Sequence, residues 1–406
     1  MNKTLRILQI CPRIPYPPDD GGKIGIFNIT KQLALKGHDL TMLTFSDGGP
    51  VPEAMNQFAR IIQVKHGTRT NLAGIAKNVF SELPYTVSKY QSVKMEEQLR
   101  ELCGKNTYDV IHVDHLHLAH YGLIAKREFG IPYCLREHNY ETIIYQRFAD
   151  IHGISLFKLY LKMQSERIRK YETGQISETD LCIAITDDDR EKISRTTNAR
   201  LCVIPAGVDL ELHPLLERGN EKQNSILIVG HLQWAPNRDA IRWFLDEVFP
   251  LVQERVPDAE VTIAGMSPSK DLLRRQNGTI RFPGFVQDLK KLIASTQVLA
   301  IPLRVGGGMR IKLLEFFAYG KAVVSTGIGA EGSRAVDGAH YVKADSARQF
   351  SDAITSLFQS GERRKELGDA SRRFVEENYS WTNISGQFED AYEETITRVK
   401  SSAPGG

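Results

Sequence analysis

Two cations stand where a helix is predicted to begin, directly after a run of glycines. Apolar residues 298–301 predict a strand, three glycines follow at 306–308, and Arg310 and Lys312 fall in the first turn of a helix that ends at Gly320. Cations are favourable at the C-terminal end of a helix and unfavourable at its N-terminal end unless an anion sits there. The pattern therefore predicts a diphosphate site.

A single carboxylate, Glu315, interrupts the apolar run 313–317 of the same predicted helix. One interpretation is an ion pair on the helix surface with Lys312, three residues earlier. The other is that the carboxylate accepts hydrogen bonds from the vicinal hydroxyls of a sugar, such as a ribose. We favour the second interpretation because the predicted diphosphate site lies next to it.

A second candidate phosphate site follows the first predicted strand, residues 5–11. Gly21 and Gly22 open a helix, predicted from about Ile26, and paired glycines expose backbone N–H groups at its positive end. Nine residues, four of them proline, separate the glycines from the strand, which excludes the dinucleotide fingerprint of dehydrogenases. The alternative is that the glycines only allow a tight turn.

Polar side chains cluster after two further predicted strands. Asp114 and His115 follow residues 109–113, while Arg136, His138 and Glu141 end or follow residues 132–136. Because the carboxyl ends of parallel strands share one edge of a sheet, these side chains are candidates for contacts with a substrate. Each histidine taken alone favours a structural role, and only the clustering of polar residues at the strand ends makes a functional role equally well supported.

The elements that must position these residues alternate along the chain. Short β-branched apolar runs are separated by helical patterns, which predicts parallel βαβ units and doubly wound α/β sheets. Strands are predicted at 5–11, 40–45, 61–65, 109–113, 132–136, 181–185 and 201–204, and then at 226–229, 260–264, 279–282, 298–301 and 322–325. The polar stretch 217–224 is interpreted as a linker. The prediction is an N-terminal domain at 1–210, a second at 225–380, and a last helix at 381–400.

Composition excludes several classes of protein. The 406 residues are 41% hydrophobic and 25% charged, as in globular proteins, and 52 basic against 49 acidic residues give no nucleic-acid surface. Five cysteines without a Cys-x-x-Cys pair argue against a disulfide framework or a zinc site and fit a reducing cytoplasm. The sequence has no apolar run of roughly 18–20 residues, so we expect any membrane contact to be peripheral.

Taken together, these motifs resemble the retaining glycosyltransferases of group 1, or family 4. Further motifs carry the resemblance: Val229-Gly230-His231, Pro283-Gly284-Phe285, and the stretches 205–209 and 322–332. The pattern Gly-Gly-Gly-x-Arg-x-Lys-x-Leu-Glu is similar to the branch that accompanies bacterial exopolysaccharide and exosortase gene clusters. The resemblance implies a GT-B fold, with two Rossmann-like domains facing across a cleft and the helix at 381–400 packing back on the first domain.

The resemblance also implies roles for residues of the second domain. Glu315 matches the second glutamate of the family's Glu-x7-Glu motif, which holds the ribose, whereas the first falls at Gly307. His231 stands where the family usually has an arginine on the diphosphate, and Arg310 and Lys312 are the substitutes. The implied donor-binding set is Gly21, Gly22, His231, Phe285, Val286, Gly306, Gly307, Gly308, Met309, Arg310, Lys312 and Glu315.

In the first domain, the family often keeps a histidine over the transferred sugar. Alignment puts Asp114 at that position with His115 beside it, so both join Arg310 and Lys312 as catalytic candidates. Arg136, His138 and Glu141 are the implied acceptor or substrate contacts.

The resulting expectation is transfer of a hexosyl unit from a UDP- or GDP-linked sugar to a glycan or lipid-linked acceptor, with retention and without a metal, in polysaccharide or glycoconjugate biosynthesis. Alternatives are a non-hydrolysing nucleotide-sugar epimerase and an inactive sugar-nucleotide-binding protein. We expect a cytoplasmic monomer or weak dimer. The basic amphipathic stretches 72–80 and 154–170 either contact the inner face of the cytoplasmic membrane or face the core.

Overall fold

The computed structural model describes residues 4–18, 20–151, 156–306 and 308–402. The chain forms two compact units. Unit 1 contains residues 1–206 together with 381–406, and unit 2 contains residues 207–380. Each unit has its own parallel sheet, and each is described separately below.

The sheet of unit 1 is built from short apolar segments that are buried along most of their length. Its strands are β1 (Arg6–Cys11), β2 (Asp39–Ser46), β3 (Arg60–Lys65), β4 (Val110–Asp114), β5 (Tyr133–Glu137), β6 (Leu181–Ala184) and β7 (Leu201–Val203). They pair in parallel in the order β3-β2-β1-β4-β5-β6-β7. The strand order reverses between β1 and β4, the point at which doubly wound sheets bind ligands.

The helices of unit 1 connect these strands, and buried apolar side chains of the connecting helices pack on the sheet. They are α1 (Gly21–Leu35), α2 (Glu53–Asn56), α3 (Leu72–Asn78), α4 (Tyr85–Ser88), α5 (Val93–Lys105), α6 (Ala119–Phe129), α7 (Glu141–Ile151), α8 (Leu156–Glu178) and α9 (Asp187–Ser194). Helix α1 begins at Gly21, earlier than the predicted Ile26, because Asp20 caps it by accepting from the amide of Lys23 at 3.0 Å.

Unit 2 repeats the same topology on a smaller scale. Its strands are β8 (Lys222–Val229), β9 (Glu260–Ala264), β10 (Ile280–Gly284), β11 (Thr296–Ile301), β12 (Val323–Ser325) and β13 (Val342–Lys343). The parallel order is β10-β9-β8-β11-β12-β13, with the reversal between β8 and β11. Its helices are α10 (Ala235–Trp243), α11 (Phe249–Arg255), α12 (Lys270–Leu273), α13 (Leu289–Ala294), α14 (Ile311–Ala318), α15 (Ala347–Gln359) and α16 (Gly361–Asn378).

The last helix, α17 (Trp381–Ser402), belongs to unit 1. Its buried stripe of Trp381, Ile384, Phe388, Tyr392 and Ile396 joins the apolar cluster formed by α1 and the first sheet. Glu389 of α17 also contacts Lys36 and lies 2.9 Å from Nε2 of His38. This helix therefore completes the core of unit 1 although it follows unit 2 in sequence.

One boundary and one strand differ from the sequence interpretation. Strand β8 begins at Lys222, inside the stretch 217–224 interpreted as a linker, because Lys222 donates its amide to the carbonyl of Ser295, the residue before β11. Strand β13 was not anticipated, since a two-residue strand carries no periodicity.

Among the described residues, no helix combines the length and apolarity needed to cross a bilayer.

Candidate active site

In unit 2, the loop between β11 and α14 brings cations to a helix N-terminus, as predicted. Arg310 is the N-cap residue of α14 and Lys312 lies in the first turn. Gly306 and Gly308 have φ values of 154° and 74°, which side chains rarely tolerate, and a side chain at Gly306 would also collide with the guanidinium of Arg310. The glycines therefore let the loop fold back under Arg310. Gly307 lies outside the described residues.

Glu315 lies one turn further along α14 with 17% of its side chain exposed. Its carboxylate is 3.0 Å from Nζ of Lys312 and 3.8 Å from Nε2 of His213. Burial alone raises the pKa of Glu315, but the charges of Lys312 and His213 outweigh it, so the pKa lies below its usual value. The ion pair anticipated as an alternative is present, and it keeps an ionised carboxylate beside the cationic loop.

The neighbouring strand ends carry the remaining predicted residues of unit 2. His231 is exposed just after β8, and its carbonyl accepts a hydrogen bond from Asn237 at 3.0 Å. Phe285, directly after β10, is 73% exposed, whereas Val286 packs partly into the apolar core. Met309 is also partly buried there. These residues share the carboxyl edge of the second sheet with the α14 loop.

In unit 1, Gly21 and Gly22 form the first turn of α1 instead of preceding it. The Asp20 carboxylate already accepts one amide at this helix end, and it is also paired with Arg13 at 2.6 Å. A side chain at Gly22 would meet the imidazole of His115, with Nε2 at 3.5 Å from the added carbon. The turn thus lies against His115, one of the predicted candidates.

Asp114, the last residue of β4, is fully buried at the centre of a polar cluster. Its Oδ1 lies 3.4 Å from Nη1 of Arg136 and 3.2 Å from Nε2 of His138. Burial by itself raises the pKa of Asp114, but the neighbouring imidazoles and guanidinium more than offset it and hold the pKa well below its usual range. Asp114 and Arg136 are both 0% exposed, so in this arrangement they lie beneath the surface and not at it.

Above this pair, four aromatic rings stack in a column. Tyr90 stacks on His117 at 4.3 Å between ring centroids, His117 on His115 at 5.0 Å, and His115 on His138 at 3.7 Å. His115 has a φ of 77°, a strained conformation costing on the order of 1–3 kcal/mol that surrounding structure must hold in place. Burial lowers the pKa of His117 to about 3 and of His138 to about 4, so these imidazoles are neutral near pH 7.

Glu141 is not brought to that cluster. It begins α7, where its amide donates to Glu172 at 2.8 Å, in a group of carboxylates that includes the buried Glu137. Burial, with some repulsion from Asp189, raises the pKa of Glu141 to about 7. Burial and repulsion from Glu172 raise the pKa of Glu137 well above its usual range. This acidic group lies on the α7–α8 side of β5.

Three residues that the sequence analysis did not single out contact the predicted ones. His213 faces Glu315, Trp234 lies under Arg310 with its ring centroid 6.0 Å from the guanidinium carbon, and His112 contacts Asp114 at 3.2 Å. The motif at 205–209 could have pointed to His213, which follows it closely. His112 lies within an apolar strand, and this sequence context is typical of a structural histidine. Within the described part of the chain, no three His, Cys, Asp or Glu residues are arranged to hold a metal ion.

The two units match two family models of one group of enzymes. Residues 20–212 match the model described as Glycosyltransferase Family 4, and residues 223–360 match the model described as Glycosyl transferases group 1. The matched ranges include helix α1 and the Asp114 cluster in unit 1, and the α14 loop in unit 2. Both clusters therefore fall inside the family domains.

Relatives of similar length extend the match over nearly the whole chain. An uncharacterized 44.6 kDa protein in the cps region of Klebsiella pneumoniae is 25% identical, with 92% of this chain and 96% of the relative covered. The MMP alpha-(1->4)-mannosyltransferase of Mycolicibacterium hassiacum is 23% identical over 93% of this chain and 96% of its own length.

Solved structures share the fold at lower identity. The crystal structure of Anabaena HepE in complex with UDP superimposes with a TM-score of 0.68 at 13% identity, covering 96% of this chain and all of that one. The two parallel Rossmann-like sheets and the family domains agree on one assignment. The chain belongs to the group 1, or family 4, glycosyltransferases of GT-B fold.

Proposed function

We propose that this glycosyltransferase moves a hexosyl unit from a nucleoside-diphosphate sugar to a hydroxyl of a glycan or lipid-linked glycan, with retention of anomeric configuration and without a metal. The observation that carries the donor half of the proposal is the β11–α14 loop. It presents Arg310 and Lys312 at a helix N-terminus, where the helix dipole disfavours cations and favours a bound anion, and it keeps Glu315 ionised one turn away.

Relatives support the same donor class. HepE was solved with UDP and again with UDP-glucose, and the Mycolicibacterium relative is named for mannosyl transfer. The Klebsiella relative lies in a cps region. UDP- and GDP-linked hexoses are accordingly the donors to test first, and a polysaccharide or its lipid-linked precursor is the acceptor class. Neither an epimerase nor an inactive binding protein is favoured by these relatives.

The proposed chemistry is a substitution at the anomeric carbon. The bond between that carbon and the diphosphate oxygen breaks, the acceptor oxygen bonds to the carbon on the same face, and the acceptor proton passes to the departing diphosphate. Negative charge grows on the leaving group, so Arg310, Lys312 and the amides of the glycine loop stabilise the transition state most. Nucleoside diphosphate and the glycosylated acceptor are the products.

Unit 1 would supply the contacts with the sugar or the acceptor. His115 is half-buried at the carboxyl edge of β4, and His138 keeps 7% of its side chain exposed. Neutral imidazoles can both donate and accept a hydrogen bond, which suits hydroxyl groups. Within this proposal Asp114 and Arg136 act from below, by fixing His138.

Nucleotide binding gives the direct test. A thermal-shift panel of UDP, GDP, dTDP, ADP and NAD should show stabilisation by one nucleoside diphosphate, because a ligand that binds only the folded state raises the melting temperature. Glu315→Ala should abolish that shift. Glu366→Ala is the matched control, because Glu366 forms the same i,i+3 ion pair with Arg363, also at 3.0 Å, on the exposed surface of helix α16.

Two results would overturn the proposal. One is the absence of a shift with every diphosphate, and the other is a shift with NAD alone. A shift that survives in Glu315→Ala but not in Glu366→Ala would instead displace the donor site from α14. A further assay separates transfer from epimerisation. A transferase releases nucleoside diphosphate when donor and acceptor are both present, whereas an epimerase alters the donor sugar when no acceptor is present.

We also propose that unit 1 contacts an anionic membrane surface, where a lipid-linked acceptor would be found. Leu72 and Phe80, at the two ends of the α3 segment, are 85% and 93% exposed, and Leu159 of α8 is 66% exposed. Lys77, Lys162 and Lys170 are exposed cations on the same two segments of the chain. We take these exposed apolar side chains together as the proposed patch, because exposed apolar residues with lysines beside them in sequence suit a negatively charged bilayer.

Vesicle sedimentation tests this contact. Wild type should sediment with vesicles containing phosphatidylglycerol and not with pure phosphatidylcholine, and Phe80→Ser with Leu159→Ser should reduce binding at least severalfold. Leu35→Ser is the control, since Leu35 is 64% exposed on α1, outside the patch. Equal binding of the double variant and the control would remove the patch from the proposal.

A further inference from the structure

A chain of polar contacts links helix α17 to the carboxyl edge of the first sheet. The hydroxyl of Tyr392 lies 2.6 Å from Nδ1 of His112. The other nitrogen of that ring, Nε2, lies 3.2 Å from Oδ2 of Asp114, whose Oδ1 lies 3.2 Å from Nε2 of His138. Four side chains from three elements thus connect residue 392 to the ring stack at residue 138.

The inner members of this chain are cut off from water. Tyr392 and Asp114 are 0% exposed and His112 is 1% exposed. In such surroundings a lost hydrogen bond is not replaced by one to solvent, and charged contacts are stronger than at the surface. A substitution at Tyr392 is therefore expected to alter the position of Asp114, because no water molecule can replace the lost contact.

Two groups in this chain have a defined protonation state. Asp114 is ionised and can only accept a hydrogen bond, and Nε2 of His112 lies 3.2 Å from its Oδ2. Burial raises the pKa of Tyr392 well above its usual range, so the phenol keeps its proton and lies in hydrogen-bond contact with Nδ1 of His112.

The remaining neighbours of Asp114 leave little freedom for its carboxylate. From β1, Nε2 of Gln9 donates to Oδ2 at 2.8 Å and the Cys11 thiol lies 3.7 Å away, while Arg136 of β5 approaches Oδ1. Phe388, one turn before Tyr392, packs edge-on against His112 and under the guanidinium of Arg136. The orientation of Asp114 is therefore determined from β1, β4, β5 and α17 together.

We propose that Tyr392 and His112 are positioning residues for glycosyl transfer, which act through Asp114 to hold His138 in the orientation that meets the sugar or acceptor. The inference rests on the proposed function, because it assigns His138 a contact in that reaction. It also gives α17 a role besides covering apolar surface: the last helix of the chain controls the geometry of a site whose other residues lie within the first 140 positions.

The first test compares Tyr392→Phe with Tyr121→Phe. Both changes remove one buried phenol hydroxyl from unit 1, since Tyr121 donates to the backbone carbonyl of Tyr90 at 2.6 Å, at the opposite end of the ring column from His138. Tyr392→Phe should lower kcat roughly 10-fold and shift the pH profile of kcat. Tyr121→Phe should leave both near wild type, and stabilisation by the donor nucleotide should be unchanged in either variant.

The second test uses His112. His112→Gln can keep a nitrogen donor toward Asp114, whereas His112→Leu cannot, so the glutamine variant should retain several-fold more activity than the leucine variant. Equal losses in the two variants would mean that His112 contributes packing and nothing more.

A spectroscopic readout separates this inference from the proposed function. In protein labelled with ¹⁵N-histidine, the ring signals of His138 should move, and its titration midpoint should rise, in Tyr392→Phe but not in Tyr121→Phe. Unmoved His138 signals would overturn the inference even if the wild-type enzyme transfers sugar. If the wild-type protein neither bound a donor nor transferred sugar, the proposed function would be wrong. The His138 signals would still show whether Tyr392 controls the orientation of His138.

Discussion

The two sheets carry charge at the same topological position but in opposite ways. At the reversal between β8 and β11, Arg310 is the N-cap residue of α14 and Lys312 lies in its first turn, with 38% of the Lys312 side chain exposed. At the reversal between β1 and β4, Asp114 and Arg136 are completely buried and already surrounded by protein partners. An accessible cationic loop can bind and release a mobile anion, whereas a buried, paired charge can only orient its neighbours. One architecture thus carries a partly exposed cationic edge in unit 2 and a buried, paired edge in unit 1.

The largest expected effect lies in the buried edge. Asp114→Asn removes the charge opposite Arg136 while keeping the shape, and breaking a buried pair this way costs about 3–5 kcal/mol of unfolding free energy. Asp47→Asn breaks an ion pair with Arg69 in which the aspartate side chain is 69% exposed. It should lower the unfolding free energy by less than about 1 kcal/mol. Urea denaturation of both variants measures the difference. Similar losses would erase the contrast between buried and surface charge.

The next effect concerns turnover. Arg310→Ala should lower kcat by about 10²–10³-fold, because removing one group that stabilises developing negative charge typically costs that much. Arg304→Ala is the matched control, because Arg304 belongs to the same β11–α14 loop and also lies over a tryptophan, Trp243. Arg304 pairs with Asp239 on the surface. Melting temperatures should stay close to wild type for Arg310→Ala. Unchanged turnover would remove Arg310 from the reaction.

The pH dependence of stability sharpens the comparison within unit 1. Asp114 has a lowered pKa, so its contribution is present above the pKa of the unfolded chain and is lost in acid. Glu141, raised to about 7, has the opposite sign: the folded state binds more protons, so stability falls as pH rises from about 4.5 to 7. Glu141→Gln should reduce the loss of unfolding free energy between pH 5 and pH 8 by on the order of 1–2 kcal/mol. Denaturation at pH 5 and pH 8 measures it, and an unchanged slope would contradict the assignment.

The smallest stability effect is expected at α14. Glu315→Gln should change the unfolding free energy by less than about 1 kcal/mol, because its partner Lys312 is partly solvated. The same variant should nevertheless weaken nucleotide binding, as proposed above. A variant that lost stability as strongly as Asp114→Asn would show that Glu315 is structural and that the two edges do not differ.

Most strands and the unit 2 site could be predicted from local sequence. Every predicted strand overlaps an observed one, and among the described residues only β13 has no predicted counterpart, because β-branched runs bounded by loops are a local signal. Arg310, Lys312 and Glu315 lie within six residues of one another, so one helical turn brings them together whatever the rest of the chain does. The cap at Asp20 shifted the start of α1 by only a few residues.

The sequence by itself thus determined the parallel α/β class, the repeat of the pattern and the cationic α14 loop, since each depends on contacts between near neighbours. Only the tertiary structure decided that Asp114 is buried against Arg136 and His138, that His213 faces Glu315 across 102 positions, and that Tyr392 reaches His112 across 280. Periodicity reports which face of an element is buried but not which distant side chain will lie against it. That choice is made by sheet order and by the packing of α17 on the first sheet.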